Sequence, residues 1–304
     1  MLKKITAIVL LLALALTLCA CGKKPSEPLK IGIPDDATNG GRAIKLLETA
    51  GLITVDPAAG WTPELKDVKS YIYNIEIVPT TANTLPSTLD DYGGATINGT
   101  YAVPVGLAPS KDGLIIESQE GASEGGENPY VNIVCARTAD KDNELYKTIQ
   151  AAFQTDLVAQ YLTAKYKEAY LPAFDSKKTD KSDDEVLALI DGYKSDAEGK
   201  TVVKVGVCGA SNEHWNACQY VLDEQDAGIY LDLVAFDAYN LPNEALNNGD
   251  IDLNSFQHKA YLAKEVESQG YAVETIFDTI MAPLTLYSNK YDSLDALKEA
   301  AGKK

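Results

Sequence analysis

This sequence predicts an α/β fold with mainly parallel sheets, and three observations lead there. Short apolar strand patterns alternate with longer helical ones. Turn-forming residues separate them. The chain has 304 residues, 45% hydrophobic and 23% charged, which supports one large domain or two lobes of ordinary size.

In order, residues 29–33 (LKIGI) read as a strand, 34–41 (PDDATNGG) as a turn-rich loop and 42–47 as a helical pattern. Residues 72–78 alternate and meet Pro79, which marks another strand. A short helix is expected over 85–91, a buried strand end over 95–97, and a boundary loop over 121–127 (GASEGGE). Residues 129–135 form a strand and 143–170 one long amphipathic helical region. Residues 175–200, rich in Lys, Asp and Ser, read as a linker with one short helix at most. A second alternating unit follows: strands over 202–207 and 231–236, helices over 214–224, 241–246, 260–267 and 294–300.

The first segment stands outside the fold. Lys3 and Lys4 precede an apolar run over 5–18, too short for a comfortable membrane span. It closes in Leu18-Cys19-Ala20-Cys21-Gly22, the pattern of bacterial lipoprotein signals. Residues 1–20 are then the signal peptide, Cys21 the lipidated first residue, and 21–28 a tether; the plainer alternative is an uncleaved anchor. Acylation, palmitate included, would hold the protein on the outer face of the cell membrane.

A net charge of −17 argues against nucleic acid, whose phosphates need clustered Lys and Arg. No phosphate loop, dinucleotide fingerprint, nucleophile elbow or paired-cysteine metal motif occurs, so no cofactor is implied. His214 and Cys218, four apart on a helix, could share a metal, but a surface histidine above a core cysteine is the plainer reading. Cys135, Cys208 and Cys218 fit core positions.

Three polar segments remain. In IPDDATNGGRA (residues 33–43) a loop leaves a strand and opens a helix, whose free N–H groups suit an anion, and Arg42 could grip a carboxylate with two parallel bonds. Spacing alone equally allows a capped helix with a surface arginine. Residues 236–262 gather Tyr239, Asn243, Phe256, His258 and Tyr261, aromatics with polar tips that suit a small-ligand pocket. On composition alone, core packing of Phe256 and Tyr261 with a structural His258 is the simpler account. In INGTYA (97–102), Asn98 could donate to and accept from an α-amino acid.

Together these segments resemble the NlpA-type, methionine-binding lipoproteins of ABC importers. FDAYNLPNEALNNGDIDLNSFQHKAYL (236–262), LYSNKYDSLDALK (286–298), IPDDATNGGRA, INGTYA, SKDG (110–113), NPYVNIV (128–134) and residues 153–174 carry the resemblance, which covers nearly all of the mature chain. Asp35 or Asp36 stands where the family has an asparagine, Ala260 where proline is common and Ser87 where arginine often follows Leu-Pro, and residues 279–284 also differ.

The order of segments is inverted. The family's second half precedes its first here, the pattern of a circular permutation. The resemblance implies a two-lobed, periplasmic-binding-protein-like fold of type II, with lobes at 29–127 and 128–304, one crossing near 127–130, and the other cut with its ends at Pro28 and Lys304. The linker 175–200 would join the old termini at modest entropic cost.

The resemblance also implies a site. Arg42 would pair with a ligand carboxylate, with Asn39 in the same loop. Asn98 would hold the amino and carboxylate ends. Tyr239, Phe256 and His258 would line the side-chain pocket, with Asn243 and Tyr261 as second choices. The expected protein is a monomeric binder of L-methionine that serves an ABC permease with its ATPase and is no enzyme. Alternatives are another amino acid, a dipeptide, or a surface lipoprotein without transport. An enzyme using His258 with Asp252 or Glu244 lacks a nucleophile.

Overall fold

The computed structural model describes residues 27–60, 62–118 and 128–304. The signal-like segment, Cys21, most of the tether and the loop 121–127 lie outside the described residues.

Two sheets make two lobes. The first lobe holds β1 (Leu29–Pro34), α1 (Ala37–Thr49), β2 (Ile53–Val55), β3 (Val68–Tyr71), β4 (Ile75–Thr80), β5 (Gly94–Ile97), α2 (Gly99–Ala102), α3 (Pro109–Asp112) and β6 (Gly113–Ile116). The second holds β7 (Val131–Arg137), α4 (Glu144–Phe153), α5 (Asp156–Tyr166), β8 (Leu171–Pro172), α6 (Asp183–Asp191), β9 (Thr201–Cys208), α7 (His214–Glu224), β10 (Ile229–Phe236), α8 (Pro242–Asn248), β11 (Leu253–His258), α9 (Lys259–Gln269) and β12 (Val273–Met281). The chain then returns to the first lobe with β13 (Thr285–Tyr287) and α10 (Leu294–Ala301).

That return corrects the expected boundary. The first sheet runs β4-β1-β5-β13-β6, so β13 lies inside it, and Leu297 and Ala301 of α10 bury in its core. Residues 284–304 therefore belong to the first lobe. Two crossings join the lobes, one between residues 118 and 130 and one at 282–284. The ends of the described chain meet within the first lobe: Leu29 N donates to the Asn74 carbonyl at 2.9 Å, and Asn74 N donates to the Gly302 carbonyl at 2.8 Å.

The sheets are mixed. In the first lobe β4, β1 and β5 run parallel, while β13 is antiparallel to β5 and β6. In the second sheet, ordered β10-β9-β11-β7-β12-β8, the first three strands are parallel and each later strand pairs antiparallel with the one before it. The physical reason is the crossings. β1, β5, β9, β10 and β11 run toward the space between the lobes, whereas β7 and β13 start there on arriving from the other lobe. The carboxyl ends of the parallel strands thus face one another across the cleft, where open α/β sheets bind ligands.

Helix chemistry explains the remaining departures. The helical region expected over 143–170 breaks into α4 and α5, because Thr155 leaves the helical conformation and caps Val158 N. The segment 85–91 forms only 3-10 turns. Within the linker, Ser182 and Glu185 make a capping box that starts α6, and Val186 and Ile190 are fully buried in the second lobe's core. Burying those two side chains contributes about 1.5–3 kcal/mol each, so the linker is also part of the packing. That core centres on Trp215, Phe153 and Tyr161.

Candidate functional site between the lobes

The site starts at the end of β1. Asp36 caps α1, accepting from Asn39 N at 2.8 Å and from Thr38 Oγ1 at 3.0 Å. The helix N-terminus expected to bind a ligand anion is thus filled by the chain's own carboxylate. Asn39 Nδ2 also donates to the Asp36 carboxylate, 3.1 and 3.0 Å from its two oxygens, which orients that amide.

Asn39 Oδ1 then gathers three donors from three elements. Arg42 Nη1 donates at 3.1 Å, Asn98 Nδ2 at 2.9 Å, and His258 Nε2 lies at 3.3 Å from across the cleft. His258 Nδ1 accepts from Tyr261 N at 3.1 Å, so the ring proton sits on Nε2 and donates to Asn39. One buried amide oxygen therefore ties both lobes together.

Arg42 is buried, with 3% exposure. Its Nε donates to Glu117 Oε1 at 3.0 Å and its Nη2 to Glu117 Oε2 and the Ala282 carbonyl. Tyr130 faces the guanidinium at 4.6 Å. The two-bond face expected to clamp a ligand carboxylate is therefore held by Glu117, and one N–H on Nη1 is left for a ligand. Glu117 also accepts from Leu284 N at 3.0 Å, and its own N donates to the Leu284 carbonyl at 2.9 Å. Arg42 is thereby fastened to both interlobe crossings.

Asn98 sits at the N-cap of α2 but makes no cap bond with its side chain. Its Oδ1 is buried with no hydrogen-bond partner. A buried carbonyl oxygen without a donor is costly, and an ammonium would satisfy it. Asn39, Arg42 and Asn98 wall an enclosed pocket with Tyr239, Phe256, His258 and Tyr261.

Tyr239, Phe256 and Tyr261 form a triangle with centroids 5.9, 6.1 and 5.9 Å apart, and Tyr101 of the first lobe stacks on Tyr239 at 4.9 Å. Asn83 Nδ2 donates to the Asp237 carbonyl at 3.1 Å, another bond across the cleft. Gly209 touches Thr100 closely: a Cβ there would stand 2.6 Å from the Thr100 carbonyl oxygen.

Asn243 is not on the pocket wall. It is fully buried behind it, in an amide cluster with Gln257 at 2.8 Å and Asn254 at 2.9 Å, because the start of α8 points into the sheet. Thr100, Asn132, Gln257 and Ala282 line the pocket without having been singled out. Asn132 and Thr100 were within reach, since both lie in segments that carry the family resemblance; Glu117 had no signal. Cys135, Cys208 and Cys218 are buried and unbridged. Cys218 faces the Ile149 carbonyl at 3.8 Å, and among the described residues no group of three or more metal-ligating side chains occurs.

Burial first, then Arg42, depresses the His258 pKa well below its ordinary value, and burial lowers His214 to about 3. These are the chain's two histidines. An unfolded histidine takes a proton below about pH 6.5, while the folded ones do not. The unfolded state then binds more protons, so stability falls with pH below 6.5, at about 1.4 kcal/mol per pH unit for each histidine. Denaturant titrations from pH 7 to 5 should show this decline; a flat profile would mean the rings are accessible.

The NlpA lipoprotein family matches this chain over residues 26–174 and 203–302. The D-methionine-binding lipoprotein MetQ of Yersinia pestis is 40% identical over 131 residues, which is 42% of this chain and 46% of that one. Its counterpart in Escherichia coli (strain K12) is 39% identical over 131 residues, again 42% and 46%. A nutrient binding protein from Burkholderia cenocepacia bound to methionine is 31% identical, covering 33% of this chain and 43% of that one, with a TM-score of 0.30. The chain aligns with about half the length of the curated relatives it matches.

Proposed function

The chain belongs to the NlpA lipoprotein family, and from that premise we propose that it captures a free amino acid, methionine, between its lobes and delivers it to an ABC permease. The single observation that carries this reading is the buried Asn98 Oδ1, which lacks a donor in a pocket that also holds an Arg42 N–H. A zwitterion supplies both missing partners: its ammonium to Asn98 and its carboxylate to Arg42 Nη1. Glu117 balances the arginine, and His258 is neutral, so the pocket carries no net charge and suits a neutral ligand. The faces of Tyr239, Phe256 and Tyr261 suit a thioether. Relatives named for D-methionine binding agree with this chemistry.

Binding needs no covalent step. Ligand that touches both lobes favours their closure. Attachment through acylated Cys21 would keep the binder beside its permease. Among the described residues no helix is long and apolar enough to cross a membrane.

We further propose that the chain order is a circular permutation. Both described ends hydrogen-bond to Asn74, so the family's continuous path from α10 into β1 needs only a short join. A collinear alignment that stops near half of each relative suits that order too. The cut then falls inside the first lobe, not at a crossing.

The test is calorimetric titration of protein unfolded and refolded to strip ligand. Saturable heat with L- or D-methionine is expected, and Asn98→Leu should weaken it by about tenfold or more. A cooperatively melting protein that gives no heat with either enantiomer would sink the reading.

A further inference from the structure

A second, small pocket abuts the first. The two share Thr100, Asn132 and Phe256. Beyond those walls the second is cut into the second lobe, at the ends of β9 and β11, the start of α7 and the side of β12. Its lining is polar but uncharged among the described residues: Tyr170, Ser255 and Thr279 offer hydroxyls, and His214 an imidazole. Burial keeps that imidazole neutral, lowering it to about 3.

His214 is 5% exposed, and its Nδ1 has no hydrogen-bond partner. The ring stands edge-on to Phe153 and Tyr166, both at 5.9 Å, and beside Trp215 at 6.1 Å. With Tyr170 also edge-on at 6.3 Å, the ring is packed among four others and has little freedom to turn toward another partner. A phenylalanine would fill this aromatic cluster without leaving a polar atom unpaired, so the imidazole costs stability unless something bonds it.

We propose that the second chamber extends the site's range beyond methionine, receiving the distal end of amino acids whose side chain ends in a neutral hydrogen-bonding group that bonds His214 Nδ1. Carboxamides and sulfoxides have that chemistry; charged ends do not, because no counter-charge lines the chamber. The inference rests on the amino-acid reading of the first pocket, whose ammonium and carboxylate contacts orient the side chain past Asn132.

Stripped protein is titrated with L-glutamine and L-methionine sulfoxide, and with L-methionine and L-norleucine as controls. At least one polar ligand should bind within about tenfold of methionine or tighter. His214→Phe should weaken that ligand by about tenfold or more and leave methionine and norleucine within about twofold. Thr279→Val, which keeps its shape on β12, should act in the same direction if His214→Phe folds poorly. Both polar ligands binding about a hundredfold more weakly than methionine would overturn the proposal, and so would variants that weaken all four alike. Failure of all four on folded wild-type protein would instead refute the amino-acid reading itself.

Discussion

Arg42→Ala is expected to lose about 3–5 kcal/mol of folding stability along with ligand binding. The side chains of Arg42 and Glu117 are 3% and 14% exposed. Removing the guanidinium strands a carboxylate that is almost dry and still held by the Leu284 N–H. It also removes the Nη1 donor of Asn39 and the bond to the Ala282 carbonyl, loosening both crossings together. The two losses separate in a double variant. Arg42→Met with Glu117→Gln leaves no unpaired charge, and the glutamine oxygen can still accept from Leu284 N. Stability should then return to within about 2 kcal/mol of wild type, since a buried pair is often replaceable by neutral groups, while methionine binding stays absent. Urea denaturation measures the first and calorimetry the second. A single variant as stable as wild type would show that water reaches the pair.

Gly209→Ala is expected to weaken ligand binding by about tenfold or more while the separate lobes stay folded. Gly209 has φ +71°, where an L side chain is strained, and its new Cβ would meet the Thr100 carbonyl oxygen at 2.6 Å and Thr100 Cγ2 at 2.9 Å. The oxygen belongs to the backbone, so no rotamer change relieves the contact. Thr100 is on the first lobe and Gly209 on the second, so the cheapest relief is for the lobes to part. Small-angle scattering should show a larger radius of gyration with methionine present than wild type has. Affinity within about twofold of wild type would mean that the interface yields locally.

Much of the fold was legible because it rests on local chemistry. The limits of α7 and the strands β9 and β10 follow from apolar runs bounded by turn residues, whereas α1 starts at Ala37, inside the segment 34–41 expected as a loop. What escaped was non-local. Thr285–Tyr287 is a three-residue strand whose sheet is decided by register with β5 and β6, and nothing local says that the chain has changed lobes. The same limit applied to the site. Arg42, Asn98, Tyr239, Phe256, His258 and Tyr261 do converge on one pocket. Asn243 shares their segment but is buried behind the pocket on Gln257 and Asn254, and segment membership could not reveal that. Glu117 lies 75 residues from Arg42 in sequence, with no motif around it, so its hold on the guanidinium appears only in three dimensions. Asp35 or Asp36 departs from the family's asparagine by sequence alone, and the helix-capping role of Asp36 rests on its bond from Asn39 N in three dimensions.

The meeting of both described ends at Asn74 has a mechanical consequence. Tension drawn between Leu29 and Lys304 would load the bonds of Asn74 to Leu29 and Gly302, together with the Lys304 N–H on the Ile72 carbonyl. All three lie on one corner of the first lobe. The first lobe would peel from β1 and α10 inward, and force would reach the second lobe only after the β13 and β6 pairings gave way. With the uncut order inferred for relatives, the same corner would be a continuous stretch of backbone that no pull could unzip from an end.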